Sequence, residues 1–156
     1  MIKIATRGNR RSKLPTRRSS IRKLTSAQRY AVMSSIRSKH TKPEQAVKRV
    51  LTKLGFSYRI HASKLPGRPD IILPSRRIAV MVHGCFWHQH SGCRLARVPK
   101  SRPDYWPGKL QSNKVRDQRA KRALRYLGWQ VITIWECQTL NPSGLAERLR
   151  SKLTRS

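Results

Sequence analysis

Between positions 83 and 93 the chain places His83, Cys85, His88, His90 and Cys93, a density of imidazole and thiol suited to proton transfer or metal binding. Cys85, His90 and Cys93 fall in one loop at spacings that let a backbone turn present them to a single ion, and Cys137 offers a fourth soft donor further along. Four S/N donors are what a tetrahedral structural zinc site takes, and a complete set leaves no open position for chemistry. The competing reading makes Cys85 and Cys137 small buried hydrophobes and the histidines polar loop residues. Three cysteines cannot all pair within one chain, and nothing suggests secretion, so a disulfide framework is not expected.

Carboxylates are scarce. Metal-assisted cleavage of a phosphodiester needs at least one to hold the cation, so any such centre must draw on Glu44, Asp70, Asp104, Asp117, Glu136 and Glu147. Pro66-Gly67-Arg68-Pro69-Asp70 leads straight into Ile71-Ile72-Leu73, which places Asp70 at the mouth of a buried strand, held yet reachable. Pro-Asp before a strand is also ordinary turn chemistry. Against six acids stand 36 Lys and Arg, a formal charge of +30 that calls for a polyanionic partner, with nucleic acid the first candidate. An anionic membrane surface competes, but no run approaches the roughly 18 apolar residues of a spanning helix and no secretory signal is evident.

Residues 1–24 carry nine Lys/Arg, no acid and no apolar period. They read as a basic, disordered arm, although an Arg- and Ser-rich start also matches the composition of an organelle transit peptide. The folded domain is expected over residues 25–156. Thr25-x-x-Gln28 caps a short helix with Tyr30, Met33 and Ile36 at helical spacing. Thr41-x-x-Glu44, with Pro43, opens a second helix that buries Val47, Val50, Leu51 and Leu54 before Gly55 ends it. Phe56, Tyr58 and Ile60 alternate as a half-buried strand. Residues 70–73 and 78–82 form a hairpin of buried strands about the turn PSRR. Residues 83–108 lack periodicity and read as an irregular functional loop. A basic helix over residues 109–127, a strand over 131–135 and a last helix capped near Ser143, with Leu145, Leu149 and Leu153 inward, complete the order α-α-β-β-β-α-β-α. One helix bridging the third and fourth strands implies an α/β fold, a mixed β-sheet flanked by helices.

Pro69-Asp70 resembles the Pro-Asp element of the PD-(D/E)xK nuclease superfamily, yet the next strand, Ala79-Val80-Met81-Val82-His83, lacks that superfamily's second acid and lysine. Read with His83-Gly84-Cys85-Phe86-Trp87-His88 and the segments SKLPGRPD, RVP, DYW, RDQR, LGWQV and WEC, the chain resembles the very-short-patch repair endonucleases, which nick DNA beside T:G mismatches. The resemblance covers roughly residues 25–140 and implies a restriction-endonuclease-like fold with a structural zinc site. It makes Asp70 a ligand of Mg2+, joined by the backbone carbonyl of Val82 and, through water, by Glu44. His88 becomes the general base and His83 a second catalytic histidine. Cys85, His90, Cys93 and Cys137 match the Zn2+ ligands. The family commonly has Thr where Val82 stands, and Gly92 is an extra residue between His90 and Cys93. Phe86, Trp87 and Trp106 match aromatics wedged into the base stack, and Met33 an apolar residue inserted from the other side; core packing is the competing reading for Phe86, Trp87 and Met33. Arg68 and, on the basic helix, Lys114 and Arg116 are expected to contact DNA.

The chemistry also stands on the residues themselves. A histidine with an ordinary pKa near 6.5 can take a proton from water near neutral pH, while magnesium offsets charge at the phosphate. The expectation is a monomeric, cytoplasmic, nucleoid-associated endonuclease, Mg2+-dependent and Zn2+-stapled. It would nick one strand of double-stranded DNA beside a T:G mismatch and leave a 5′-phosphate. A restriction or mobile-element endonuclease with another target, and a non-cleaving zinc-stabilised nucleic-acid-binding protein, are the alternatives that charge alone does not separate.

Overall fold

The apolar runs become the strands of a four-stranded sheet in the computed structural model, which describes Thr25, residues 40–100 and residues 103–154. The chain divides into two units, Met1–Ile36 and Arg37–Ser156, and every element below belongs to the second. The helix expected around Met33 lies outside the described residues.

The strands β1 (Arg59–Ile60), β2 (Ile71–Leu73), β3 (Ile78–His83) and β4 (Gln130–Trp135) lie side by side in that order. The first two junctions are antiparallel and the β3–β4 junction is parallel, so the sheet is mixed as expected. Parallel neighbours need a crossover, and helix α2 (Tyr105–Tyr126) lies between them in the chain. Helices α1 (Lys42–Lys53) and α3 (Pro142–Leu153) complete the set.

The period of two along each strand sorts the core into two layers. Ile71, Leu73, Ile78, Val80, Ile132 and Ile134 face α1 and α3, meeting Val47, Val50, Leu51, Leu145, Leu149 and Leu153. Ala79 and Met81, with Ile72 and Val131 alongside, meet Ala120 and Leu124 of α2 on the other face. By the same alternation His83 belongs to the α2 face. Truncating a fully buried Leu51 or Leu149 to alanine should cost about 2–5 kcal/mol.

Three boundaries differ from the sequence reading. Helix α2 starts at Tyr105 rather than 109, because Pro107 falls in the first turn, where its missing N–H has no partner to lose. Helix α3 is capped by Asn141, whose Oδ1 accepts the Gly144 N–H at 3.2 Å; Ser143 is already inside the helix and donates to the same Oδ1. Strand β1 keeps only Arg59 and Ile60, although Phe56 and Tyr58 remain half-buried as the alternation requires. The Thr41–Glu44 capping box is present as read, worth about 1 kcal/mol to α1.

Candidate active site and metal centre

Asp70 is delivered to the end of the β2–β3 hairpin by a loop that could hardly be closer to α2. Gly67 has φ +69, and a Cβ there would overlap the Cβ of Ala120, so only glycine lets the backbone lie against the helix. Pro69 is fully buried. Asp70 Oδ2 accepts the Val82 N–H at 2.7 Å, which pins the carboxylate to β3. Burial raises its pKa to about 6; the Val82 N–H opposes that shift, the charge of Glu44 adds to it and His88 opposes it.

Glu44 is only 4% exposed. Its carboxylate accepts the backbone N–H groups of His40 at 2.9 Å and Thr41 at 3.3 Å and the Thr41 hydroxyl at 2.9 Å. The capping box thus turns a helix-start carboxylate inward, toward Asp70. Among the described residues neither acid is in a salt bridge. A buried and a half-buried carboxylate that feel each other's charge, with no salt-bridge partner among the described residues, are a donor set that suits a hard divalent cation.

On the α2 face, His83 and His88 stack with ring centroids 3.9 Å apart and planes 12° from parallel. His88 Nδ1 is hydrogen-bonded to Asp117 Oδ2, from the middle of α2. Burial pushes Asp117 up, but the hydrogen bond and charge of His88, with the charge of Arg116, leave its carboxyl below the ordinary value. An ionised Asp117 accepts the Nδ1–H hydrogen bond, which keeps the proton on Nδ1 and leaves Nε2 as the ring's basic nitrogen. His83 is 3% exposed, and its Nδ1 is buried without a hydrogen-bond partner. Burial lowers its pKa to about 3; His88 and Lys121 act in the same direction and Asp117 against. His83 is therefore a neutral imidazole at working pH. Half-buried Lys121, one turn beyond Asp117 on α2, brings a positive charge to the cluster, and burial holds its pKa below the usual lysine value.

Cys85, His90, Cys93 and Cys137 come together as the sequence spacing suggested, with one donor atom from each lying within 4.8 Å of the others. His90 Nδ1 stands 3.7 Å from Cys85 Sγ and 3.4 Å from Cys137 Sγ. A tetrahedral ion with Zn–S near 2.3 Å and Zn–N near 2.05 Å would set such S···N edges at about 3.6 Å. The donors fit a metal ion, and Cys85 is fully enclosed, its thiol raised to about 12 by burial, so a bound cation must displace protons there. Gly92 adopts φ +68 in the turn where the Cys93 N–H reaches His90 O at 3.3 Å, with open space about it.

Sequence reasoning missed four supporting residues. Asp117 orients His88, and Glu136 Oε2 accepts the Cys85 N–H at 3.1 Å. Asn113, buried on α2, donates to Trp87 O at 3.0 Å and accepts from Arg116 at 3.2 Å. Trp135 stacks on His90 at 4.3 Å and meets His83 edge-on at 5.4 Å, so one indole touches both clusters. A signal for two of them existed in the shortage of acids: Glu44, Asp70, Asp117 and Glu136 all serve these centres, while Asp104 and Glu147 are exposed elsewhere.

Phe86, Trp87, Trp106 and Tyr105 form an aromatic cluster with neighbouring centroids about 5 Å apart. Phe86 and Trp87 are half-buried, and Trp106 is 9% exposed at the start of α2. Arg68, Lys114 and Arg116 are exposed. Met33 lies outside the described residues.

A family model described as DNA mismatch endonuclease Vsr matches residues 21–94. The chain is 47% identical over 131 residues to the type II nicking enzyme V.XorIIP of Xanthomonas oryzae pv. oryzae, a match that covers 84% of this chain and 96% of the relative. It is 41% identical over 125 residues to the type II nicking enzyme V.NmeAIP of Neisseria meningitidis serogroup A, over 80% of this chain and 89% of the relative. Against the DNA mismatch endonuclease Vsr of Escherichia coli K12 it is 38% identical over 128 residues, 79% of this chain and 81% of the relative. These likenesses define the class, a DNA-cleaving hydrolase that nicks its substrate, and they weigh against the non-cleaving alternative. Within that class the chain belongs to the Vsr family, the very-short-patch repair endonucleases. Membership implies the restriction-endonuclease-like fold that the mixed sheet fits. Among the described residues no helix is long and apolar enough to cross a membrane.

Proposed function

We propose that this endonuclease nicks one strand of duplex DNA beside a T:G mismatch, as a Mg2+-dependent enzyme stapled by Zn2+. The observation that carries the reading is the His88–Asp117 pair stacked against neutral His83, on the sheet end that also holds Asp70. Asp70, the Val82 carbonyl and, through water, Glu44 would hold the magnesium. When bound, that cation offsets charge developing on the phosphate. His88 Nε2 takes a proton from the attacking water, and Asp117 stabilises the imidazolium that results. The water oxygen bonds to phosphorus, the P–O3′ bond breaks, the leaving O3′ takes a proton from solvent, and the products are a 5′-phosphate and a 3′-hydroxyl. Uncharged His83, packed on the face of His88, keeps the base in place and offers the phosphate a hydrogen-bonding edge without competing for the proton.

Cys85, His90, Cys93 and Cys137 would hold zinc as a structural clip. Phe86 and Trp87 wedge into the base stack, where a mispaired step costs least to open. Trp106 packs against both and completes the wedge; Met33 inserts from the opposite side. Arg68, Lys114 and Arg116 hold phosphates. The mismatch assignment draws on the likeness to the Escherichia coli relative, a DNA mismatch endonuclease, and the enzyme is expected to act as a cytoplasmic, nucleoid-associated monomer.

The test incubates the full chain and Mg2+ with matched duplex, T:G duplex and single strand in several sequence contexts. Nicking restricted to the T:G duplex is expected. Equal cutting of matched DNA would move the reading to a restriction-like or mobile-element enzyme, and no cutting at all would end the catalytic assignment.

A further inference from the structure

The outward face of α1 has no part in the chemistry described, and its charge is of one sign. Gln45, Lys48, Arg49, Thr52 and Lys53 recur at the helical period and, with Tyr58 from the segment before β1, line a shallow groove of about 520 Å³. The face carries three cations and no acid, because the helix's single carboxylate, Glu44, is buried on the side toward Asp70. A merely solvated helix face usually mixes signs, since opposite charges one turn apart support each other and like charges repel. Arg49 and Lys53 stand one turn apart, and among the described residues neither is in a salt bridge. The rest of the lining is hydrogen-bonding: the Thr52 hydroxyl and Tyr58 hydroxyl lie 3.4 Å apart, and Lys48 Nζ lies 3.5 Å from His40 Nδ1.

We propose that this groove seats the backbone of the same DNA duplex beyond the cut, as a second phosphate track; the proposal rests on DNA being the substrate. Charge complementarity names the occupant, and position gives the path. His40, beside Lys48, donates its backbone N–H to Glu44, so the Lys48 end of the groove adjoins the carboxylates that would hold the catalytic metal. From Gln45 to Lys53 the face runs about 12 Å, or three to four base steps at about 3.4 Å each. Ammonium, guanidinium and hydroxyl donors spaced along that length suit consecutive phosphates and carry no base-reading group, so the track sets register rather than sequence.

The experiment measures duplex binding by fluorescence anisotropy over a range of salt. It compares the full wild-type chain, the Lys48→Ala/Arg49→Ala/Lys53→Ala variant, and a variant with Arg148, Arg150 and Lys152 on the exposed side of α3 changed to alanine. The last removes the same charge away from the groove. Loss of two to three phosphate contacts should flatten the slope of log K against log salt by about 2–3 for the groove variant, against less than about 1 for the α3 variant. Equal slopes for the two variants would overturn the proposal, and so would failure of the wild-type chain to bind duplex. Nicking by the wild-type chain, followed in parallel, keeps the two readings apart: nicking with equal slopes overturns the groove alone, and a groove-specific slope without nicking overturns the catalytic assignment alone.

Discussion

As the proposed metal ligand, Asp70 carries conflicting demands, since such a ligand must be ionised while its surroundings penalise the charge. Its folded pKa is about 6 against an ordinary value of 3.8. The sign follows: above pH 6 folding buries an ionised group at a cost, and that cost fades as pH falls through the window between the two values. Asp70→Asn keeps an oxygen for the Val82 N–H but removes the charge. It should abolish nicking while raising metal-free stability at pH 7.5 by up to about 2 kcal/mol, with no gain at pH 4; urea melts at both pH values check this. Asp117 poses a different question. Asparagine there can donate to His88 Nδ1 and reverse its tautomer, so Asp117→Asn should lower kcat by about 10²–10⁴ with KM little changed. Steady-state kinetics on the T:G duplex decide it, and a rise in KM alone would refute the orienting role.

At the scale of elements, the precision of the site comes from close approach of pieces that are not neighbours in sequence. The 66–70 loop lies on Ala120 of α2, and α2 carries Asp117 to His88. Gly67→Ala should both collide with Ala120 and strain a left-handed backbone, costing about 2–3 kcal/mol and most of the activity. Adding Ala120→Gly relieves the collision and not the strain, so thermal melts should show partial rescue; complete independence of the two changes would refute the contact. Local chemistry also explains where element boundaries moved. Pro107 looks like a helix breaker in the sequence, yet in a first turn it is harmless, and Asn141 followed by Pro142 outcompetes Ser143 as a cap.

At the scale of the molecule, the Cys/His cluster joins the loop after β3 to the end of β4, two segments that the sheet already sets in parallel register at His83 and Trp135. Trp135 then lies against both His90 and His83, so the Cys/His cluster and the stacked His83–His88 pair share one wall. Cys137→Ser should release the bound metal, lower the melting temperature and slow nicking together. Elemental analysis of the purified variant tests the first effect, and undiminished zinc content would refute the ligand set.

Much of this was legible in the chain itself, because capping boxes, strand alternation and the Cys85, His90, Cys93 spacing are local properties set by backbone geometry. The scarcity of acids singled out Asp70, and the HGCFWH run singled out His83 and His88. What those residues do to one another was decided only by tertiary structure. The His88–Asp117 bond spans 29 positions and the Glu136–Cys85 bond 51, and no local pattern encodes a contact made by folding a basic helix back across a sheet. The unequal states of two adjacent histidines, one buried and neutral, one held by a carboxylate, follow from burial and partners, and those exist only once the layers have closed.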